Sequence, residues 1–404
     1  MRGGRQIAGE PVNYDRVLCE RVKNVPPSGI RKFFDIVSER RDVISLGVGE
    51  PDFTTPWRYS DAAIYSLREG KTHYTSNRGL KELTRLISEY ESRFGVTYDP
   101  ASEIMVTVGA SEGIDIAMRA LIEPGDEVLV PDPSYVSYMP CVTFAGGKCV
   151  PVPTRAEDGF RMTPELIRKY ITPRTKCVIF PYPNNPTGGV MERADMEALA
   201  PVFRDTDIVI LADEIYAELT YTGKPHAAFA SIPGMRERTV TLNGFSKAFA
   251  MTGWRMGYAC GPKEILDVML RIHQYTIMCA PTAGQHAAVE ALKSGLENNF
   301  RDVRDMVRQY DRRRRVIVDG LRKAGLPTHE PMGAFYAFPC ISPTGLTAQE
   351  FCVRLLNEQG VACVPGDAFG ESGREFVRCS YASSMENITE AVRRIREFTE
   401  KYIR

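Results

Sequence analysis

From residue 104 onward, short continuous runs of apolar and β-branched residues alternate with longer stretches of helical periodicity. The clearest runs cover residues 104–108, 127–130, 176–181, 207–212, 240–242 and 256–259. A strand that is apolar at every position is buried on both faces, which is typical of a parallel sheet covered by helices. The pattern therefore predicts an α/β fold with a mostly parallel central sheet and helices on both faces.

A change of rhythm in the last hundred residues indicates a second structural unit. Residues 302–323 form a long, highly charged helical pattern. Short strand-like runs follow it at 333–338, 361–364 and 376–380. Because 404 residues exceed what a single core usually holds, we expect two domains. We predict a large domain over 59–300 and a smaller α+β domain made of 1–58 and 301–404.

The charge balance limits the partners that this chain takes. Lysine plus arginine and aspartate plus glutamate each total 51, so the formal net charge is zero. Nucleic-acid and membrane-surface partners require a basic excess, and no stretch approaches the length of a membrane span. The run 312–315 consists of four arginines in a helical stretch that also carries aspartates, so we expect a solvated face. We predict binding to neither nucleic acid nor membrane.

Cysteine and histidine usage bears on location and metal binding. The ten cysteines are scattered singly without C-x-x-C pairs, which is typical of reduced, mostly buried thiols in a cytoplasmic protein. Residues 1–10 lack the apolar core of a secretory signal. The five histidines show no ligand spacing, so we expect no metal site.

One lysine is the centre of the residues that carry chemistry. Lys247 follows the run 240–242 and is flanked by small residues, with Ser246 before it and Arg255 downstream. A lysine amine in a pocket forms a Schiff base with an aldehyde, and arginine binds phosphate through paired hydrogen bonds. An aldehyde and a phosphate in one cofactor indicate pyridoxal 5′-phosphate (PLP). The alternative is an ordinary solvated loop lysine.

Further polar side chains follow the neighbouring predicted strands. In α/β sheets, ligands bind at the carboxyl ends of the strands. Small residues at Ala110 and Ser111 let backbone N–H groups approach an anion, although Ser111 also fits a plain helix N-cap. Tyr135 can stack on a flat ring or pack as an ordinary turn residue. Asn185 can donate to a ring oxygen, although turn chemistry alone explains an Asn-Pro pair.

A carboxylate and a second tyrosine follow the run 207–212. Asp213 ends this apolar run, where a carboxylate is costly unless it faces a positive charge. A protonated pyridine nitrogen is such a partner, and keeping it protonated makes the ring an electron sink. A helix N-cap is the alternative role for Asp213. Tyr216 can hydrogen-bond the ring hydroxyl.

The order of these motifs resembles the class I/II aminotransferases of fold type I, the aspartate aminotransferase superfamily. The motifs are Gly109-Ala110-Ser111, Asn185-Pro186-Thr187-Gly188, Asp213-Glu214-Ile215-Tyr216 and Ser246-Lys247 with Arg255. The likeness extends over nearly the whole chain, and it implies the PLP-dependent transferase fold. It makes Lys247 the covalent attachment point and the catalytic acid/base. It implies the cofactor-binding residues Tyr74, Ala110, Ser111, Tyr135, Asn185, Asp213, Tyr216, Ser246 and Arg255. Gly244 stands where some relatives carry a second phosphate-binding hydroxyl.

The resemblance also implies how substrates bind. Arg378 matches the arginine that binds the substrate α-carboxylate, assisted by Asn185 and the backbone of Gly47, whereas the plain alternative is a surface strand arginine. Tyr74 matches a tyrosine that reaches the cofactor phosphate of the neighbouring subunit, which implies a homodimer with shared active sites. We expect segment 25–35 to close over bound substrate.

The implied reaction is a ping-pong transfer of the α-amino group of an L-amino acid to a 2-oxo acid, with 2-oxoglutarate the expected acceptor. The branch that the chain resembles contains aspartate, aromatic and N-acetyl-diaminopimelate aminotransferases. A PLP-dependent C–S lyase of the same fold is the alternative.

Overall fold

A computed structural model describes residues 12–27, 29 and 43–403. The strands are β1 (Ile44–Ser45), β2 (Ile104–Val108), β3 (Glu127–Asp132), β4 (Lys148–Pro153), β5 (Thr175–Phe180), β6 (Val209–Asp213), β7 (Thr239–Gly244), β8 (Met256–Cys260), β9 (Tyr336–Ala337), β10 (Val361–Ala362), β11 (Val364–Pro365) and β12 (Val377–Ser380). Seven of these form the central sheet in the order β2-β8-β7-β6-β5-β3-β4. Only β8 in this sheet runs antiparallel to its neighbours. The mostly parallel sheet is therefore confirmed.

Helices cover both faces of the central sheet. The α-helices of the described residues are α1 (Tyr14–Val17), α2 (Glu20–Lys23), α3 (Trp57–Arg68), α4 (Lys81–Ser92), α5 (Gly109–Leu121), α6 (Tyr138–Ala145), α7 (Pro164–Tyr170), α8 (Arg193–Leu199), α9 (Lys263–Thr276), α10 (Thr282–Asn298), α11 (Arg301–Lys323), α12 (Ala348–Gln359) and α13 (Met385–Thr399). None of them is long and apolar enough to cross a membrane.

The side chains of the central strands alternate between two cores. In β5, Cys177 and Ile179 join a core with residues of α5 and α9, whereas Val178 and Phe180 join a second core with residues of α8. All four side chains are at most 3% exposed. Burial on both faces explains why the sequence of this strand is apolar at consecutive positions.

The C-terminal part of the chain forms smaller sheets beside the long helix α11. Strands β11, β12 and β9 form an antiparallel three-stranded sheet, and β1 pairs in parallel with β10. The β1–β10 pair joins the N-terminal segment to the C-terminal one, which agrees with a domain built from both. The boundaries at 59 and 300 stay predictions.

The charged run on α11 differs from the expectation of a solvated face. Arg313 and Arg314 are buried, at 7% and 6% exposure. Arg313 pairs with Asp52 at 2.8 Å, and Arg314 pairs with Asp311 and Glu330. Only the outer two arginines of the run are exposed. The prediction was wrong for the middle two because Asp52 and Glu330, which are distant in sequence and invisible in a local pattern, help compensate their burial.

Candidate active site

The carboxyl ends of β5, β6 and β7 bring the predicted site residues to one edge of the central sheet. Lys247 lies three residues after β7, Asp213 ends β6, and Asn185 follows β5. Arg378 reaches the same place from β12 of the three-stranded sheet, where it donates to Asn185. The pocket therefore lies where the two sheets meet.

Lys247 projects into this pocket. Its Nζ donates to the carbonyl oxygen of Gly49 at 2.6 Å and lies 5.9 Å from the centre of the Tyr216 ring. Burial lowers the pKa of Lys247 to about 8, and Glu50 opposes that shift. An amine with so low a pKa loses its proton far more readily than a surface lysine does, so it can act as a nucleophile and a base.

Asp213 is a buried carboxylate held by neutral donors. It is 5% exposed, and its Oδ2 accepts from the Tyr138 hydroxyl at 2.7 Å. Its Oδ1 accepts from the backbone N–H of Ile215 at 3.3 Å. Burial raises the pKa of Asp213 to about 6, and the Tyr138 hydrogen bond opposes the rise. A positively charged group beside Asp213 would offset the cost of burying its charge.

Arg378 occupies the opposite side of the pocket. It is 2% exposed, so the alternative of a surface strand arginine is wrong. Its Nη1 donates to Asn185 Oδ1 at 3.0 Å and its Nη2 to the Gly47 carbonyl at 2.6 Å. Its Nε is buried without a hydrogen-bond partner among the described residues. The partners found are neutral, so a bound carboxylate would complete the charge balance.

Two tyrosines link the lysine side of the pocket to the arginine side. The Tyr216 and Tyr336 hydroxyls lie 2.9 Å apart, and both rings are at most 5% exposed. The Tyr336 ring lies 4.4 Å from Cζ of Arg378. Tyr135 is half-buried, and its ring meets Tyr138 edge-on at 5.6 Å. Tyr336 and Tyr138 were not predicted as site residues.

The third side of the pocket has the properties of an anion site. Helix α5 begins at Gly109 with Val108 as N-cap and no side-chain cap, so an N-cap role for Ser111 is wrong. Ala110 and Ser111 lie in its first turn, where free N–H groups and the helix dipole favour an anion. A Cβ on Gly109 would overlap the Arg255 guanidinium, so glycine permits this close approach.

Arg255 and Ser246 complete this side. The Arg255 side chain is exposed, and its Nη1 donates to the Thr252 carbonyl at 3.0 Å. Ser246 is 8% exposed and directly precedes Lys247. Gly244 faces Gly257 across β7 and β8, and a Cβ on Gly244 would come within 2.9 Å of the Gly257 backbone. Close strand contact thus accounts for glycine at position 244.

Two predictions fall outside the pocket of a single chain. Tyr74 is 78% exposed, so its side chain is free to contact another molecule. Of segment 25–35, residues 28 and 30–35 lie outside the described residues, so the expected closure is untested.

The residues fit PLP on the chemistry of the donors. An uncapped helix start with Arg255 suits a phosphate, the buried carboxylate of Asp213 suits a pyridinium, and Lys247 offers an amine with a lowered pKa. The unsatisfied Nε of Arg378 suits a substrate carboxylate.

Comparison with known proteins agrees with this arrangement. Residues 41–395 match the family model described as aminotransferase class I and II. The aspartate aminotransferase of Pyrococcus abyssi is 44% identical over 94% of this chain and 97% of its own length. For aromatic-amino-acid aminotransferase 2 of Thermococcus litoralis, the identity is 43% over 94% of this chain and 97% of the relative.

Solved structures show the same likeness. The Thermus thermophilus aspartate aminotransferase with maleate superimposes with a TM-score of 0.89 at 39% identity, over 94% of this chain and 99% of that chain. The extent of these matches shows the fold, the enzyme class and the cofactor together. The chain belongs to the class I and II aminotransferases, and it is a PLP-dependent enzyme of fold type I.

Proposed function

We propose that this enzyme moves the α-amino group of an L-amino acid to a 2-oxo acid, with 2-oxoglutarate as the acceptor, in two half-reactions of ping-pong type. The observation that carries the proposal is that Lys247 and Arg378 lie on either side of the Tyr216–Tyr336 pair, with Asp213 at the end of the neighbouring strand β6. The Lys247 amine, whose pKa burial lowers to about 8, lies on the same side of the molecule as a guanidinium whose Nε has no hydrogen-bond partner among the described residues. Such a pocket suits a substrate with a carboxylate next to the reacting carbon.

Bound PLP supplies an electron sink that stabilises negative charge at the substrate α-carbon. Asp213 would face the pyridine nitrogen, with Tyr138 orienting its carboxylate. Asn185 and Tyr216 would bind the ring oxygen, and Tyr135 would stack on the ring. The burial of Asp213, Asn185 and Tyr216 would help to exclude water from the reacting centre.

The phosphate would be bound by the first turn of α5 together with two side chains. Ala110 and Ser111 offer backbone N–H groups there, Arg255 borders the same turn, and Ser246 would add its hydroxyl. Binding at a helix start uses the dipole and the free donors together.

Lys247 would accept the proton of the substrate α-carbon at Nζ and hold it there for the later proton return. The pKa of about 8 keeps a useful fraction of the amine neutral at physiological pH. Arg378 would bind the α-carboxylate through Nε and the N–H groups that are not donated to Asn185 and Gly47, while these two residues hold the guanidinium plane. This grip orients the α C–H bond toward the lysine.

The donor class follows from the relatives rather than from one residue. The relatives are named for aspartate, aromatic amino acids and N-acetyl-LL-diaminopimelate. We propose a donor of aspartate, aromatic or N-acetyl-diaminopimelate type.

All ten cysteines are free thiols, which supports the further proposal of a cytoplasmic location.

A two-step absorbance experiment tests the function. An amino donor is added to the PLP-loaded protein, and loss of the visible cofactor band should accompany release of the matching 2-oxo acid. Adding 2-oxoglutarate should restore the band, and a panel of donors then identifies the preferred one. Pyruvate and ammonia released from a cysteine thioether without any oxo acid would instead favour the C–S lyase.

A further inference from the structure

Asp132, the last residue of β3, is a buried carboxylate with no part in the pocket chemistry above. It is 7% exposed, and the donors to its oxygens among the described residues are both on Ser372. The Ser372 backbone N–H lies 3.3 Å from each oxygen, and its hydroxyl lies 3.1 Å from Oδ2. Burying a carboxylate beside neutral donors is costly, so the arrangement calls for an explanation beyond packing.

Ser372 lies in the loop that connects β11 to β12, which we call the β11–β12 loop. Gly370 of this loop has φ 134°, and a Cβ there would overlap Asp132 Oδ1. The loop therefore approaches the carboxylate closely because residue 370 is glycine. A second link lies beside the first, since the Ser134 N–H donates to the Phe369 carbonyl at 3.0 Å. The end of β3 thus fixes the backbone on both sides of Gly370.

Phe369 carries this restraint to the arginine of the pocket. Its ring lies 4.8 Å from Cζ of Arg378, which also contacts the Tyr336 ring. Phe369 packs against Phe338 as well, so apolar contacts hold the far side of its ring. Cation–π contact and packing together limit the orientations that the guanidinium can adopt.

We infer that Asp132 is a positioning residue that holds the β11–β12 loop so that Phe369 fixes the guanidinium of Arg378 for substrate carboxylate binding. The inference rests on the proposed function, which gives Arg378 that role. Asp132 acts through the loop and touches neither substrate nor cofactor. Its loss should therefore weaken substrate binding and leave the proton transfer at Lys247 nearly unchanged.

The test uses the PLP-loaded full chain and the amino donor that the parent enzyme turns over best. The rate of the half-reaction is measured at increasing donor concentration. This series gives two separate quantities, the donor concentration at half-saturation and the maximal rate. Asp132→Ala removes both carboxylate oxygens that accept hydrogen bonds from Ser372 of the loop. The donor concentration at half-saturation should therefore rise about tenfold, while the maximal rate changes less than about threefold. Asp132→Asn keeps an acceptor oxygen for Ser372 and should stay within about threefold of the parent.

Gln349→Ala is the matched control. The Gln349 side chain touches Asp367 of the same loop from its exposed side at 3.4 Å, so its loss should change neither quantity. An Asp132→Ala variant with unchanged half-saturation, or with a fall in maximal rate alone, would overturn the inference. Equal losses in Asp132→Asn and Asp132→Ala would also overturn it, because the charge rather than the loop contact would then matter.

A second readout does not depend on activity. Arg374 is exposed in the β11–β12 loop, so trypsin cleavage there, followed by mass spectrometry, reports how firmly the loop is held. Asp132→Ala should speed cleavage after Arg374 by about threefold or more, with Gln349→Ala unchanged. Equal cleavage in parent and variant would contradict the inference. A parent chain that transfers no amino group would refute the proposed function, while this proteolysis result would still decide whether Asp132 holds the loop.

Discussion

Lys247 and Asp213 are the two ionisable side chains of the pocket whose pKa values move toward neutrality, to about 8 and about 6 respectively. Burial is the main cause in both cases, because it disfavours the charged form of each group. Neighbouring hydrogen bonds and charges then adjust the result. Changes to these neighbours should therefore alter protonation near neutral pH, whereas changes to exposed residues of the same type should not.

Replacing Lys247 with arginine should nearly abolish amino transfer. Arginine stays protonated, so it can neither form the covalent link nor accept a proton, and the half-reaction should slow on the order of 10²–10⁴-fold. Rapid mixing with the amino donor measures the rate. Lys263→Arg is the control, since Lys263 is an exposed lysine paired with Asp267. A Lys247→Arg variant with parental rates would refute the assigned role. Borohydride reduction of the PLP-loaded parent enzyme that leaves Lys247 unlabelled would refute it as well.

Replacing Tyr138 with phenylalanine should move the pH dependence of cofactor binding upward. The Tyr138 hydroxyl stabilises the ionised form of Asp213, so its loss raises the pKa of Asp213 further above about 6. PLP affinity of the apoprotein should then begin to weaken at a higher pH as the solution is acidified. Fluorescence titration with PLP from pH 5 to 8 measures this shift, with Tyr170→Phe in α7 as control. Superimposable pH curves would contradict the role of Tyr138.

At the scale of elements, α4 is tied to the strands that carry the lysine. Glu91 of α4 is fully buried, and its Oε1 accepts from Tyr258 of β8 at 2.5 Å and from Asn243 of β7 at 3.2 Å. Its Oε2 has no partner among the described residues. Burial raises the pKa of Glu91 to about 7, with Glu214 adding to the rise and His226 opposing it. The helix is thus anchored by a carboxyl group that loses its proton only near neutral pH.

This raised pKa gives stability a definite pH dependence. Between pH 4.5 and about 7 the unfolded chain loses the Glu91 proton while the folded chain keeps it, so the free energy of unfolding falls as pH rises. Glu91→Gln removes this loss and should raise Tm by roughly 2–4 °C at pH 8 but not at pH 4.5. Thermal denaturation at both pH values measures it. Glu89→Gln on the exposed face of α4 is the control, and a gain equal at both pH values would exclude the mechanism.

Several elements were predictable from local pattern and others were not. Strand β2 has the predicted limits, and β6 and β7 lie within two residues of theirs, because their continuous apolar runs match burial on both faces. Strand β4 was not predicted, since it carries two prolines at the edge of the sheet, where a missing N–H is tolerated. The predicted run 361–364 is divided between β10 and β11, which belong to different sheets.

The site shows the same division. Lys247, Asp213 and Asn185 were predictable because each follows a strand whose end lies at one edge of the sheet. Tyr138 and Phe369 were not, since they reach the pocket from a helix and a loop whose positions depend on tertiary packing. Arg378 was found by resemblance, because no local pattern brings β12 against Asn185.

At the scale of the whole molecule, several large aromatic side chains are left exposed to solvent. Tyr74, Tyr275 and Trp57 are 78%, 86% and 72% exposed. The loop that carries Tyr74 is joined to the end of α9 by a hydrogen bond from Asn77 to the Met278 carbonyl at 2.7 Å. Large apolar side chains left in water favour a protein interface. We therefore propose a homodimer in which Tyr74 completes the active site of the partner subunit.

Mixing two inactive variants tests the shared site. The Tyr74→Ala variant lacks the tyrosine that would complete the partner's active site, and the Lys247→Ala variant lacks the catalytic amine of its own site. A hybrid dimer contains one site with both residues intact, so random mixing after reversible dissociation should restore about a quarter of parental activity. Light scattering should show a mass of about twice 45.2 kDa. A monomeric mass, or no recovery on mixing, would exclude the shared site.

The neutral surroundings of Arg378 have a kinetic consequence. Under the proposed roles, the same guanidinium receives the amino donor in one half-reaction and the oxo-acid acceptor in the other, with Asn185 and Gly47 serving both. An acceptor present in large excess should then occupy the form of the enzyme that awaits the donor. We therefore expect substrate inhibition by the oxo acid that is relieved when the amino acid concentration is raised, because both substrates compete for one carboxylate-binding arginine.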